Sequence, residues 1–342
     1  VNVLFGNCLL DYHISTIDRS FSENLMENTI IEVKHVTKSL GGRTVLSDIN
    51  FQVPNGSVFG ILGPNGSGKT TLLRILLGLI VHDTGDVKVL GQNPLSMSRE
   101  DKNGIGFVLE DHGLNERLTA YQNIDFFAQV YGLTKEKRGD RILEMLDKVD
   151  LSSYIKKPVG TFSKGMKQRL SLARALIHEP RILFLDEPTS NLDPEGTVYI
   201  RNLILRLSRE AGITIYINSH DLDEVERICS RIVIMKHGNI MLQGVIADLL
   251  RQNNQTTLEV KLEENESFPE LENLLSSLSY VSNFKIEKEV AFIELNDDSS
   301  RLLLFNALTQ NSIPIKEITQ IKNSLEDLYI SIVKEEEHHE VQ

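Results

Sequence analysis

Cysteine is scarce: the 342 residues include only Cys8 and Cys229. That excludes a disulfide framework and a cysteine-rich metal cluster, and it fits a reducing cytoplasm. Long apolar runs are missing too. A stretch such as Ile75 to Val81 is far too short to cross a bilayer, so no transmembrane helix is expected. The first ten residues lack the basic start of a secretion signal. There is also no surplus of basic charge. The formal net charge is −12; residues 251–342 carry 18 acidic and 8 basic side chains, a balance of −10 that leaves −2 for the first 250. Neither part is basic enough for nucleic acid to be the main partner, and the compositional break is what two domains would give.

What is present centres on Gly63-Pro64-Asn65-Gly66-Ser67-Gly68-Lys69-Thr70-Thr71. The apolar run Val58 to Leu62 leads in and the periodic stretch Leu72 to Gly78 leads out, giving the order strand, glycine loop, helix. Glycines at 63, 66 and 68 let several N–H groups point into one concavity, and the helix adds its positive end. Such a loop cages anionic oxygens. In it Lys69 reaches terminal phosphates and the Thr70 hydroxyl sits on a magnesium ion bridging them.

Residues 1–25 show no clear periodicity, whereas Met26 onward reads like a fresh beginning that runs into an alternating strand. Met26 is therefore expected to be the functional start, with 1–27 an extension that is either disordered or not native. Short strands are expected over Ile30 to Val36, Val45 to Val53, Gly85 to Leu90 and Gly104 to Leu109, with a turn at Pro54-Asn55-Gly56. Apolar spacing of three and four predicts helices over Ala120 to Leu133 and Lys135 to Val149.

Ser163 is a good N-cap for the helix carrying Leu170, Leu172, Ala173 and Leu176. Alone, it reads first as the cap of a surface helix and second as another anion site. The run Ile182 to Leu185 is a strand buried on both faces that delivers Asp186 and Glu187 at its C-terminal end, where ligands bind in parallel α/β sheets. Asp186 is placed to hold magnesium and Glu187 to polarise an attacking water. A further buried strand, Ile213 to Asn218, ends at Ser219-His220-Asp221, and His220 becomes a candidate γ-phosphate sensor.

In order and spacing these motifs resemble the ATP-binding subunit of an ABC transporter over roughly Ile30 to Gly244. Gly63 to Thr71 resembles the Walker A loop, Phe162 to Met166 the signature segment and Ile182 to Asp186 the Walker B strand followed by Glu187. Ser190-Asn191-Leu192-Asp193 resembles the D-loop and His220 the switch histidine. The resemblance implies an α/β P-loop cassette with a mainly parallel core sheet, an antiparallel β subdomain and a helical subdomain. It implies ATP and Mg2+ as cofactors, and hydrolysis with Glu187 as general base, Lys69 and His220 on the phosphates and Asp193 coupling two sites. It further implies a head-to-tail pair, with a second copy or a paralogous cassette, in which Ser163 and Gly165 of one chain cap the nucleotide held by the other.

Three departures from the family pattern stand out. Leu40 occupies the place of an aromatic residue that stacks on adenine, so base discrimination is expected to be weaker. Glu110 replaces a usual glutamine; it is expected to join the metal site as a hard oxygen ligand, the alternative being that it faces the membrane subunit. Lys164 and Met166 are unusual in the signature, but Ser163 and Gly165 remain.

The cassette is expected over 28–245 and a small C-terminal accessory α/β domain over 246–342. In the latter, Leu258 to Leu262 and Phe284 to Leu295 look like strands, Phe268 to Leu278 and Ser300 to Gln310 like helices. The tail Glu335 to Glu340 is expected to be solvated. The closing segment Asn323 to Tyr329 and Glu110 resemble bacterial export cassettes for antibiotics, peptides or sodium. That implies a separate membrane permease docking beside Glu110 and 114–150, and a position on the cytoplasmic face of the cell membrane. The competing reading is a soluble ATPase switch on ribosomes or DNA, but no second cassette, heptad run or basic patch supports it.

Overall fold

The computed structural model describes residues 29–252, 256–263, 268–287, 290–297, 299–321 and 324–330. The expected extension 1–27 with Met26, and the acidic tail, lie outside these. The chain divides after Gln243 into two compact units.

The first unit opens with a hairpin, β1 (Thr29–Leu40) and β2 (Arg43–Pro54). Gly41 and Gly42 turn it with φ of 57° and 80°, the doubly left-handed pair that matches strand twist. With β4 (Thr84–Val89) on the other side of β1, these strands form an antiparallel sheet in the order β2-β1-β4. A six-stranded sheet contains β3 (Val58–Leu62), β5 (Ile105–Val108), β6 (Ile182–Asp186), β7 (Thr214–Ser219), β8 (Arg231–Lys236) and β9 (Asn239–Val245). Its order is β5-β6-β7-β3-β8-β9, and β5 through β8 are joined by parallel pairings. Every residue of β3, β6 and β7 is buried. The apolar stretches Val58 to Leu62, Ile182 to Leu185 and Ile215 to Ile217 follow from this, since a strand covered on both faces has no solvent side to alternate with. Each fully buried Ile, Leu or Phe there contributes about 1.5–3 kcal/mol before chain entropy is set against it.

Helices α1 (Lys69–Leu76), α2 (Arg99–Lys102), α3 (Ala120–Val130), α4 (Lys135–Lys148), α5 (Lys164–Leu176), α6 (Pro194–Ala211) and α7 (Leu222–Ile228) complete the unit. Thr119 and Gln122 form a capping box at the start of α3. The stretch expected to stay helical to Leu133 stops at Val130, and Gly132 at φ 81° turns the chain out. Because Leu62 pairs with Ser219 and Asp186 with Asn218, the loops after β3, β6 and β7 emerge at one edge. That edge carries the chemistry.

The second unit starts with α8 (Ile246–Gln252) and continues as β10 (Thr256–Leu262), α9 (Phe268–Ser277), β11 (Val281–Glu287), β12 (Val290–Leu295), α10 (Ser300–Gln310) and β13 (Ile315–Ile321). All sheet pairings are antiparallel in the order β11-β12-β10-β13, the split βαβ or ferredoxin-like arrangement. Leu258, Val260, Leu271, Leu275, Ile293, Leu304 and Leu308 lie at its core. The single strand expected from Phe284 to Leu295 is two: the chain reverses between Glu287 and Val290. Period-two alternation runs through both arms and carries no record of direction. Neither α8 nor β13 was expected from the sequence. Among the described residues no helix is long and apolar enough to cross a membrane.

Candidate nucleotide site

The loop after β3 owes its path to glycines that nothing else could replace. Gly63 has φ +153°, and a Cβ there would lie 2.2 Å from the Met235 carbonyl oxygen. Gly68 has φ +107°, and a Cβ there would lie 2.7 Å from a Leu46 methyl and 2.9 Å from the Val45 carbonyl oxygen. Gly68 is also the N-cap of α1 and offers no side-chain cap, nor is there an acidic residue in the first turn. The N–H groups of that turn therefore remain for an anion. Lys69 is buried, and its Nζ donates to the carbonyls of Gly63 at 2.5 Å and Pro64 at 3.2 Å. Burial pushes its pKa below the ordinary lysine value, while the charges of Glu187 and Asp186 act the other way.

A cavity of about 390 Å³ opens over this loop. Asn65, Gly66, Ser67, Gly68, Lys69, Thr70 and Thr71 form one wall, and Glu110, Asp186, Glu187, Ser190, His220 and Val45 close it. Asp186 ends β6 and accepts from Asn218 Nδ2 at 3.0 Å. The next residue, Glu187, holds φ +51°, a region a non-glycine residue occupies only under tertiary constraint. The constraint is visible. Its N–H donates to the Asn218 carbonyl at 3.0 Å, and its Oε1 lies 2.9 Å from His220 Nδ1. A carboxylate beside an imidazole over a phosphate cradle is equipped to take a proton from water.

The donor set fits a nucleotide triphosphate. Ser67 Oγ lines the cavity, is buried, and has no hydrogen-bond partner among the described residues. An acceptor-rich phosphate would satisfy it. Among the described residues no group of three or more His, Cys, Asp or Glu could hold a metal ion, so a magnesium ion here would need hydroxyl and phosphate oxygens as well.

Other expected residues lie elsewhere. Ser163, Gly165 and Asp193 line a second cavity of about 260 Å³ that shares no residue with the first. Ser163 caps α5 by accepting from the Met166 N–H at 3.2 Å, and Asp193 caps α6 by accepting from Gly196 at 3.0 Å. Leu40 sits half-exposed at the hairpin tip and does not line the first cavity; Val45 on the facing strand does. Gly63 and Pro64 also stay off its wall and act through their carbonyls on Lys69. Val45 and Ser190 were not anticipated. Ser190 opens the segment that ends at Asp193, which is the signal that could have found it. Val45 carried none, since only the hairpin register brings it over the loop.

Known proteins match over this same region. The family model described as ABC transporter matches residues 46–190. An uncharacterized ABC transporter ATP-binding protein of Bacillus subtilis (strain 168), YhcH, is 38% identical over 319 residues, covering 91% of this chain and 99% of that protein. This chain is an ABC transporter ATP-binding protein.

The bacitracin transport ATP-binding protein BcrA of Bacillus licheniformis is also similar to this ABC protein, at 34% identity over 90% of the chain and 98% of BcrA. Among solved structures, the dimeric post-hydrolysis state of the ATP-binding cassette MJ0796, bound to ADP and Pi, superposes with a TM-score of 0.57 at 28% identity. It covers 63% of this chain and 98% of that one. As a member of this family the ABC protein is an α/β P-loop cassette and an ATPase, the ATP-hydrolysing subunit of a transporter.

Proposed function

We propose that this ABC protein drives export through a separate permease at the cytoplasmic face of the membrane, by closing on a second cassette around two ATP molecules. The observation that carries the reading is the separation of the two cavities. Lys69, Glu187 and His220 line one, Ser163 and Gly165 the other, with no residue in common. A phosphate held by Lys69 can be capped by a signature serine only if that serine comes from another chain.

In the closed pair, Lys69 and the amides of 65–71 hold the phosphates, and Ser163 and Gly165 of the facing chain cap them. Glu187 takes the proton of the attacking water, and His220 keeps Glu187 oriented and contacts the γ-phosphate. Thr70, Asp186 and Glu110 would hold Mg2+, which supplies charge neutralisation between the phosphates. Asp193, at the head of α6 beside Ser163, couples the two sites. Val45 on the cavity wall, with Leu40 beyond it at the hairpin tip, gives the base an apolar seat without an aromatic ring. The likeness to a bacitracin transport protein across nearly the whole chain supports export of an antibiotic-type cargo.

The test uses the full chain with Glu187→Gln. Chromatography with light scattering should report a dimer with Mg-ATP and a monomer with Mg-ADP. A species indifferent to nucleotide refutes the closing mechanism. Co-purification from detergent-solubilised membranes should bring down a multi-span partner; recovery only in the cytosol, with ribosomes or nucleic acid attached, refutes the export reading.

A further inference from the structure

Arg174 lies toward the C-terminal end of α5, the helix that Ser163 caps, and only 7% of its surface is exposed. A buried cation is normally held by a carboxylate. Here its hydrogen bonds go to main-chain oxygens instead, although the charge of Asp111 in the same loop also favours the cation. Nη1 donates to the carbonyls of His112 at 2.7 Å and Gly113 at 3.4 Å, and Nη2 to that of Phe107 at 3.3 Å. The guanidinium carbon stands 4.9 Å from the Phe127 ring centre on α3. Gly113 fits this arrangement closely. Its φ is +59°, and a Cβ there would lie 2.9 Å from Arg174 Nη1.

The three carbonyls flank one residue of the nucleotide cavity. Phe107 precedes Glu110 and His112 and Gly113 follow it. A guanidinium is a rigid planar fork, so bonding both ends of a short loop fixes the span between them in a way that a lysine ammonium does not. The same fork is carried by the signature helix.

We propose that Arg174 is a positioning residue for Glu110. It clamps segment 107–113 to α5, so that the placement of the signature helix sets where the Glu110 carboxylate stands over the phosphate loop. This rests on the reading of Glu110 as a ligand within the nucleotide cavity. A displacement of α5 when Ser163 engages a second chain is then passed to Glu110 through this fork, beside the weaker bond of Ser171 Oγ to the His112 carbonyl at 3.5 Å and apart from the bond of Gln168 to the Pro188 carbonyl at 2.9 Å.

The test compares full-length wild type with Arg174→Met, Arg174→Lys, Gly113→Ala and Glu110→Ala. In Arg174→Met, amide hydrogen exchange over 109–115 should be about tenfold faster while 58–62 is unchanged. Its kcat for ATP should fall about tenfold or more, with KM within about threefold of wild type. Arg174→Lys keeps the charge and folds in the same frame; it should show most of that loss. Gly113→Ala, which crowds the fork, should behave likewise. Arg174→Met in the Glu110→Ala background should cost little more than Glu110→Ala alone, because both remove one function. Unchanged exchange over 109–115, wild-type behaviour of Arg174→Lys, or losses that multiply in the double variant would each overturn the proposal. If Arg174→Met frees the loop but Glu110→Ala matches wild type, the clamp stands and the assigned role of Glu110 falls.

Discussion

Ser67→Ala should make the nucleotide-free protein more stable and its complex with ATP weaker. Ser67 is 2% exposed and its Oγ has no partner among the described residues. Burying a hydroxyl unpaired costs about 1–3 kcal/mol in protein series. Alanine removes the group without opening a large void, so a gain of about 1–2 kcal/mol is expected. For a chain of this size that corresponds to a rise of about 2–8 °C in Tm. With ATP bound the balance reverses, because a hydroxyl donating to a phosphate oxygen is charge-assisted and contributes about 1.5–3 kcal/mol. The Kd for Mg-ATP should then rise about ten- to a hundredfold. Thermal or urea unfolding without nucleotide measures the first quantity, and titration calorimetry with Mg-ATP the second. A less stable nucleotide-free variant would mean that the hydroxyl already has a partner. An unchanged Kd would mean that it does not face phosphate, and either result refutes the reasoning.

Gly63→Ala puts a methyl group against the Met235 carbonyl, which cannot give way, and should destabilise by about 3 kcal/mol; a chemical-denaturation midpoint near wild type would contradict the close approach. Leu40→Tyr should raise the preference for ATP over GTP, measured as the ratio of kcat/KM values, from a wild-type ratio near unity; a strong ATP preference in wild type counts against the assigned base seat. His178 stacks on Tyr131 with ring centroids 3.7 Å apart, its Nε2 is 3.0 Å from the Ile105 carbonyl, and its Nδ1 is buried with no partner among the described residues. Burial first, and then the charge of Arg141, hold its pKa below the ordinary value near 6.5, against the opposing bond to Ile105. The unfolded chain therefore takes up a proton that the folded one refuses, and stability falls by up to about 1.4 kcal/mol per pH unit below about pH 6.5. His178→Gln should flatten the stability profile between about pH 7 and 5; an unchanged slope would show that His178 is not the group responsible.

Much of this protein is legible in short stretches of chain. The glycines of 63–68, the unbroken apolar run of 182–185 with its two terminal carboxylates, and the serine before α5 each state a local rule. Those rules are the left-handed backbone, burial on both faces, and a cap for orphan N–H groups. The chain by itself determined the phosphate loop, the buried strand that delivers Asp186 and Glu187, and the family. Contacts distant in sequence were decided by the tertiary structure alone. The β1–β2 register places Val45 over the loop. Packing of the edge forces Glu187 to a positive φ beside His220. The reversal between β11 and β12 is invisible to alternation, and Ser163 and Asp193 fall into a cavity of their own. Arg174 shows the difference most clearly: it reads as one more basic residue in a helix, and only the folding of β5, α3 and α5 around it supplies the carbonyls and the ring that give its charge a place. Local sequence encodes torsion preferences and faces, whereas which atoms meet across the core depends on how all those faces are buried together.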